Sequence, residues 1–301
     1  MKDLKIAIVF ISSLLTFISC DNRDDIKHVN IKTTSVKVVF ENKIECKAIV
    51  ENFSGKPILE KGFYWSTDSL FNTNTANWQK TDMKSDTFSI NSTKSLFPAT
   101  KYYLKAFATT EEGTNYGNTL TFTTDSNRVS YYIDSRDNKK YKIVYIGGKW
   151  WFAENFDFEI QGSTKQQDSK TKLYNRFYTW DAAKLACPSD CEFPTDNDWM
   201  KLESAIGMNS DQLLDFNWRG WAATQLLTGG IQGFNINYIG YLTPISQGSV
   251  NSYSDNTCRF WTGTAGSNGA YYRGFDELFD YSIYRAVDDK AMQYSVRYIL
   301  N

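Results

Sequence analysis

Histidine is nearly missing from this chain of 301 residues: His28 is the sole example. No Ser-His-Asp or Cys-His arrangement can be built on the residues that follow it. Histidine-ligated zinc is excluded for the same reason. Proline and cysteine are also scarce, with 5 of each. Neither charge sign dominates, with 33 basic against 34 acidic residues, so there is no basic footprint for nucleic acid. Aromatic residues, in contrast, make up 16% of the chain. That composition belongs to a folded protein, not a disordered one. The length suits two domains of about 100–200 residues each.

No apolar run approaches the roughly 20 residues of a comfortable transmembrane helix. The longest, Ile6 to Ile18, is broken by small hydroxyl residues. Lys2 and Lys5 precede it, and Ser19-Cys20 closes it. Asp21, Asn22, Arg23, Asp24 and Asp25 follow at once. A positive start, a short apolar core and a small residue before the cut describe an export signal. Removing residues 1–19 takes away two lysines and one aspartate, which leaves a net charge of about −2.

The cysteine at the cut resembles the lipobox of bacterial lipoproteins, with Phe17 standing where leucine is usual. The acidic cluster resembles the surface-export signal of Bacteroidetes-type lipoproteins. Together they imply a signal peptide over 1–19, acylation of Cys20 and an acidic tether over 20–30. The expected location is the outer membrane, lipid-anchored and facing the cell exterior. The alternatives are an ordinary secretory signal or a single-pass anchor. More than one acyl chain is needed for firm anchoring.

The other cysteines carry less. Cys46 alternates with Ile44, Ala48 and Val50, which assigns it to the buried face of a strand. Cys187 and Cys191 flank Pro188-Ser189-Asp190 and are candidates for a small disulfide in an oxidising compartment. Cys258 has no evident partner. The spacing is not that of a paired CxxC metal site.

Residues 31–125 read as all-β. Strands are expected at Val36–Phe40, Ile44–Val50, Gly62–Trp65, Thr87–Ile90, Tyr102–Thr109 and Leu120–Thr123, with Glu41-Asn42-Lys43 as a hairpin turn. Turn-punctuated strands without a helical period indicate a sandwich. Leu96-x-Pro98-x-Thr100-x-Tyr102-x-x-x-Ala106 resembles the corner of fibronectin type III domains, where a tyrosine hydroxyl pins the chain. Gly62-Phe63-Tyr64-Trp65-Ser66 and Tyr116 to Thr124 resemble the variant found in bacterial surface lipoproteins. The resemblance implies a spacer.

Asp125-Ser126-Asn127 forms a linker, and the texture then changes. Asp134 to Asn155 reads as strand, turn and strand, with turns at Asp137-Asn138 and Gly147-Gly148. This block resembles the start of the Fibrobacter succinogenes major paralogous domain, a family of exported bacterial modules. Leu173-Tyr174, Tyr178-Thr179-Trp180, Cys187-Pro188-Ser189 and Phe193-Pro194-Thr195 continue the likeness. Gly233-Phe234, Gly240-Tyr241, Phe260-Trp261-Thr262 and Ser295-Val296-Arg297 complete it. Two departures stand out: Asp190-Cys191-Glu192 replaces the usual Gly-Trp-His, and Tyr298 replaces a cysteine. The domain is set at 128–301.

The local chemistry agrees. Thr195 with Asp198 forms a capping-box pattern. Trp199, Leu202 and Ile206 mark one apolar helix face, and Gly207 ends it. An earlier helix, Thr179 to Ala186, stops before Pro188. The expected fold is multi-domain: a fibronectin III-like sandwich, then an α+β domain. The second domain resembles C-type-lectin-like and formylglycine-generating folds, by analogy alone.

Formylglycine generation needs a close cysteine pair near the C-terminal part of that domain, and only Cys258 lies there. Asp276, Glu277 and Asp280 cluster as a carboxylate hydrolase would require, yet such clusters are commonly solvated turns. The aromatics offer a binding reading, since sugar rings stack on exposed tryptophan and tyrosine. Trp218 and Trp221 flank Arg219-Gly220 in a loop-like stretch. Tyr271, Tyr272 and Arg273 follow the loop Gly266 to Gly269. Trp150, Trp151, Trp199 and Trp261 are expected in the core. Neither calcium-lectin motif, Glu-Pro-Asn or Trp-Asn-Asp, occurs, and no cofactor or metal is indicated. The expected activity is non-catalytic glycan or surface-polymer binding. Adhesion to a protein partner is the alternative, and a carboxylate hydrolase the third reading.

Overall fold

The computed structural model describes residues 29–39, 42–52, 55–93, 95–167, 172, 174–244, 250–253 and 256–300. The export signal, Cys20, the tether up to residue 28 (His28 included), Phe40, Glu41 and Leu173 lie outside the described residues. Val29 and Asn30, read above as tether, already belong to the first strand.

Among the described residues eight strands come first: β1 (Val29–Val39), β2 (Lys43–Asn52), β3 (Glu60–Ser66), β4 (Asn77–Lys80), β5 (Thr87–Asn91), β6 (Lys101–Thr110), β7 (Gly113–Tyr116) and β8 (Leu120–Thr123). They form two antiparallel sheets, β1-β2-β5 and β4-β3-β6-β7, with β8 also on β6. Alternation sends Ile44, Cys46, Ala48 and Val50 inward from one sheet. They meet Phe63, Trp65, Tyr102 and Leu104 from the other in a single core. Cys46 is the small core residue expected, and burial pushes its thiol up to about 12.

Two polar devices lock this sandwich. A register shift between Thr33 and Ser35 marks a bulge in β1. There the Thr33 hydroxyl accepts from Ala106 N at 3.0 Å, and Thr33 N donates to Asn118 Oδ1 at 3.0 Å. The bulge thus ties the edge of one sheet to the other. At the corner before β6, Phe97 N donates to Tyr102 Oη at 3.0 Å. The tyrosine pins the chain as its position suggested.

Among the described residues, twelve strands and three α-helices follow. The strands are β9 (Val129–Ile133), β10 (Lys140–Ile146), β11 (Lys149–Phe152), β12 (Ser163–Gln167), β13 (Tyr174–Tyr178), β14 (Asn217–Arg219), β15 (Tyr241–Pro244), β16 (Val250–Tyr253), β17 (Thr257–Gly266), β18 (Gly269–Asp276), β19 (Ile283–Asp288) and β20 (Ile299–Leu300). The helices are α1 (Trp180–Ala186), α2 (Asp196–Ala205) and α3 (Ser210–Leu214). Among the described residues no helix is long and apolar enough to cross a membrane.

The sheet β20-β11-β10-β9 is covered on both faces. Successive strand side chains point to opposite faces, so Trp150 enters one core cluster and Trp151 the other. Trp151 meets Trp199 of α2 edge-on, with ring centroids 5.1 Å apart. Trp150, Trp151, Trp199 and Trp261 are all buried, as expected. Each large aromatic removed from water contributes on the order of 1.5–3 kcal/mol. The turn between β10 and β11 demands glycine. Gly147 sits at φ +60°, where a Cβ would lie 2.9 Å from Lys201 O of α2.

Both expected helices form. Thr195 caps α2 in a full capping box with Asp198. Thr179 caps α1 by accepting from Ala182 N. Asn42 Nδ2 donates to Asn127 O at 2.7 Å, and Phe97 packs against Tyr145 at 5.5 Å, so the sandwich touches the residues that follow it.

Candidate functional site

The sheet β14-β19-β18-β17 carries the candidate residues. Its register sets Trp218 opposite Tyr284, and Gly274 opposite Tyr284 on the other side. Tyr272 pairs with Trp261. Alternation therefore places Trp261, Tyr272, Tyr284 and Trp218 on one face. The rings form a continuous row. Trp261 to Tyr272 is 6.4 Å, Tyr272 to Tyr284 is 5.9 Å, and Tyr284 to Trp218 is 4.9 Å. The row starts in the core and ends where Trp218 stacks on Phe279 at 4.7 Å. Gly274 makes room for it, since a Cβ there would lie 3.1 Å from Tyr284 Cβ.

The outer end of the row is an exposed apolar ridge. Trp221 is 78% exposed and Leu278 83%. Phe216, Phe279 and Tyr281 are exposed beside them in sequence. Two contacts hold the Trp221 segment against the 279–283 segment. Ala223 N donates to Tyr281 O at 3.0 Å, and Ser282 Oγ donates to Gly220 O at 3.0 Å. Clustered exposed apolar side chains mark interaction surfaces more often than chance.

The opposite face of the same sheet carries buried charge. Arg219, Arg273 and Arg285 meet Asp196 and Glu203 of α2. Arg219 Nη2 reaches both Glu203 oxygens, at 3.0 and 2.8 Å. Arg273 donates Nε to Glu203 Oε1 and Nη1 to Asp196 Oδ1, both at 2.6 Å. Arg285 Nη2 donates to Asp196 Oδ2 at 2.7 Å. Burial alone would raise the Asp196 carboxyl, but the Arg285 and Arg273 guanidinia hold it below the usual carboxylate range. Burial likewise pulls Arg219 down, against the pull of Glu203. The Arg285 guanidinium lies 4.6 Å from the Phe216 ring centre and 5.0 Å from that of Tyr271. The network bolts α2 under the sheet that displays the ridge.

The five candidates therefore separate. Trp218 and Trp221 stand at the ridge, although Trp218 lies on edge strand β14 and not in a loop. Tyr271 is half-buried beside Phe216. Tyr272 and Arg273 correct the sequence reading. Tyr272 is 5% exposed inside the aromatic row, and Arg273 is 0% exposed in the ion network. They sit inside β18, past the turn that Gly266 to Gly269 makes, so alternation turns both into packed layers.

Phe216, Leu278, Phe279 and Tyr281 were not singled out from the sequence. For Leu278, Phe279 and Tyr281 a signal was present: apolar residues interleaved with Asp276, Glu277 and Asp280 in a stretch too polar to be a strand. Those acids build a turn. Asp276 Oδ1 accepts from Leu278 N at 2.9 Å and caps the short 3-10 turn Glu277–Phe279. Among the described residues no group of three or more His, Cys, Asp or Glu could hold a metal ion. The structure carries Cys187 and Cys191 as thiols, and burial pushes Cys187 up to about 12. Cys258 is a buried thiol, raised by burial.

No curated protein matches the chain. The model of the Fibrobacter succinogenes major domain matches residues 144–300, more than half of it, and the chain belongs to that family.

Proposed function

We propose that this member of the Fibrobacter succinogenes major domain family is a non-catalytic surface protein that binds glycan or another surface polymer through the aromatic ridge. In this reading Cys20 is acylated and holds the chain on the outer membrane, facing outward. Residues 31–125 act as a fibronectin type III-like spacer. The strand orders β1-β2-β5 and β4-β3-β6-β7 support that spacer, as does the Tyr102 corner. The C-type-lectin-like outline of the second domain rests on two short helices packed against antiparallel strands.

One observation carries the binding reading. An aromatic row anchored at buried Trp261 runs out to Trp218 and Phe279, with Trp221 and Tyr281 exposed beside it. A ridge rooted in the core is pre-organised, so little ordering entropy opposes binding. Flat aromatic rings suit the apolar faces of sugars. The role of Asp276 as a turn cap supports the non-catalytic reading.

A protein partner is the second reading. It is favoured by Leu214 and Leu278, which are 69% and 83% exposed, since aliphatic side chains offer sugars no stacking face. Sedimentation of the mature chain, with Cys20→Ser, on insoluble polysaccharides tests the first. Cross-linking on intact cells tests the second. Retention on a polysaccharide that Trp221→Ala abolishes supports glycan binding. No retention on any polymer, with a defined protein cross-linked through the ridge, overturns it.

A further inference from the structure

A second concavity, of about 580 Å³, shares no lining residue with the ridge. Four asparagines line it, Asn155, Asn175, Asn235 and Asn237. The Asn155 amide is held by Asn175, Ser295 and Arg297, and Asn237 Oδ1 accepts from Thr228 Oγ1 at 2.6 Å, which leaves the Asn175 and Asn237 NH2 groups for a ligand. Thr228 adds a hydroxyl, and the largely exposed ring of Tyr174 stands among the lining residues. Amides donate and accept at once, which suits the paired hydroxyls of a sugar ring. The aromatic ring offers a face for stacking.

Arg297 also lines this cleft and is buried. Its hydrogen bonds run to neutral acceptors. Nε donates to Asn155 Oδ1 at 2.7 Å, and Nη1 to Phe152 O and Phe234 O at 3.1 and 2.7 Å. Nη2 donates to Asn235 O at 3.1 Å. A guanidinium has five N–H donors, so one Nη2 hydrogen has no acceptor among the described residues. A buried cation without a paired anion is costly, and an anion that reaches it is correspondingly favoured. Burial lowers this group to about 9, against weaker upward pulls from Cys258 and Glu154.

The other charges around the cleft are engaged or solvated. Lys139 Nζ donates to Asp157 Oδ2 at 2.7 Å. Glu154 is exposed and accepts from Lys142 N at 3.1 Å. With Lys139 neutralised by Asp157, Arg297 is the one cation of the lining without an ion-pair partner among the described residues, and Glu154 is the one anion, at an exposed position.

We propose that this cleft binds a sugar unit carrying a carboxylate, of the uronic-acid class, with the carboxylate against Arg297 and the ring hydroxyls on the asparagine amides. The inference rests on the reading of the chain as a glycan binder and names the sugar class, but it does not depend on the ridge. A single open donor answers one carboxylate oxygen, whereas a phosphate brings about −1.5 to −2 of charge and more oxygens than one donor can satisfy.

The test is a titration of the mature chain, with Cys20→Ser and nitrogen-15 label, by galacturonate, galactose and inorganic phosphate. Galacturonate is expected to shift the side-chain amides of Asn175 and Asn237, with affinity about tenfold or more above that of galactose. Asn237→Ala and Tyr174→Ala, both at exposed positions, are expected to weaken it while the remaining spectrum stays native. Trp221→Ala is expected to leave it unchanged, so loss of ridge binding alone does not touch this result. No amide shift, equal affinity for galactose, or phosphate competing as well as galacturonate overturns the proposal.

Discussion

Glu203 ties two arginines of the sheet beneath the ridge to α2, and Glu203→Gln measures what that tie is worth. The carboxylate is buried and takes three hydrogen bonds, two from Arg219 and one from Arg273. The substitution keeps the shape and removes the charge. Arg273 retains Asp196, but Arg219 keeps no carboxylate, and its side chain is 1% exposed. Removing one partner of a buried ion pair costs about 3–5 kcal/mol, because the remaining charge is left uncompensated. A domain is stable by only about 5–15 kcal/mol, so a large share is lost. For a domain of this size the shift in Tm is roughly 6–20 °C. Thermal unfolding followed by near-ultraviolet circular dichroism reads it. Glu159→Gln is the control: Glu159 pairs with Arg176 at 3.2 Å but is 85% exposed, so about 0–1 kcal/mol is expected. A loss for Glu203→Gln no larger than that of the control would refute the view that this network holds α2 to the sheet.

Three further outcomes follow from the same geometry. Tyr102→Phe removes the acceptor of Phe97 N and is expected to cost about 1–3 kcal/mol of sandwich stability in urea unfolding, with the two core clusters that follow the sandwich unaffected. Gly147→Ala is expected to destabilise well beyond Gly148→Ala. Both positions have positive φ, but only at Gly147 does the new Cβ meet backbone, and thermal melts rank the two. Asp196 has a depressed pKa when folded, so its contribution is fully present above the unfolded value near 4 and is lost as pH falls through the folded one. Asp196→Asn should therefore flatten the acid limb of stability against pH, and an unchanged limb would count against the ion pairing.

The sandwich was legible because alternation is explicit in its strands. Ile44, Cys46, Ala48 and Val50 declare a buried face, and Leu96 to Ala106 declares a corner. Helix α2 was legible because Thr195 and Asp198 announce its start, and Trp199, Leu202 and Ile206 its face. The site was legible only in part. Trp218 and Trp221 were visible as tryptophans near glycine, but nothing local says that Arg273 answers carboxylates 70 and 77 residues earlier. Arg273 and Tyr272 are adjacent, so strand alternation sends them to opposite faces, and both of those faces are covered by distant segments. Strands β4 and β7 were not anticipated either, since Asn77-Trp78-Gln79-Lys80 and Gly113 to Tyr116 show little apolar alternation on their exposed faces. Helix α3 is only 5 residues long, and its capping box of Asn209 and Gln212 is its main signal.

Retention on insoluble polysaccharide, measured for the mature Cys20→Ser chain and for Trp221→Ala with Phe279→Ala, tests the binding claim most directly. Trp221 is largely exposed and should cost about 0.5 kcal/mol or less, and Phe279, half exposed and stacked on Trp218, about 0.5–1.5 kcal/mol, so the variant stays folded. The account predicts that the wild type is retained on at least one polymer and that the variant loses about tenfold or more in affinity. Equal retention of the two proteins, or no retention of the wild type on any polymer, would contradict it.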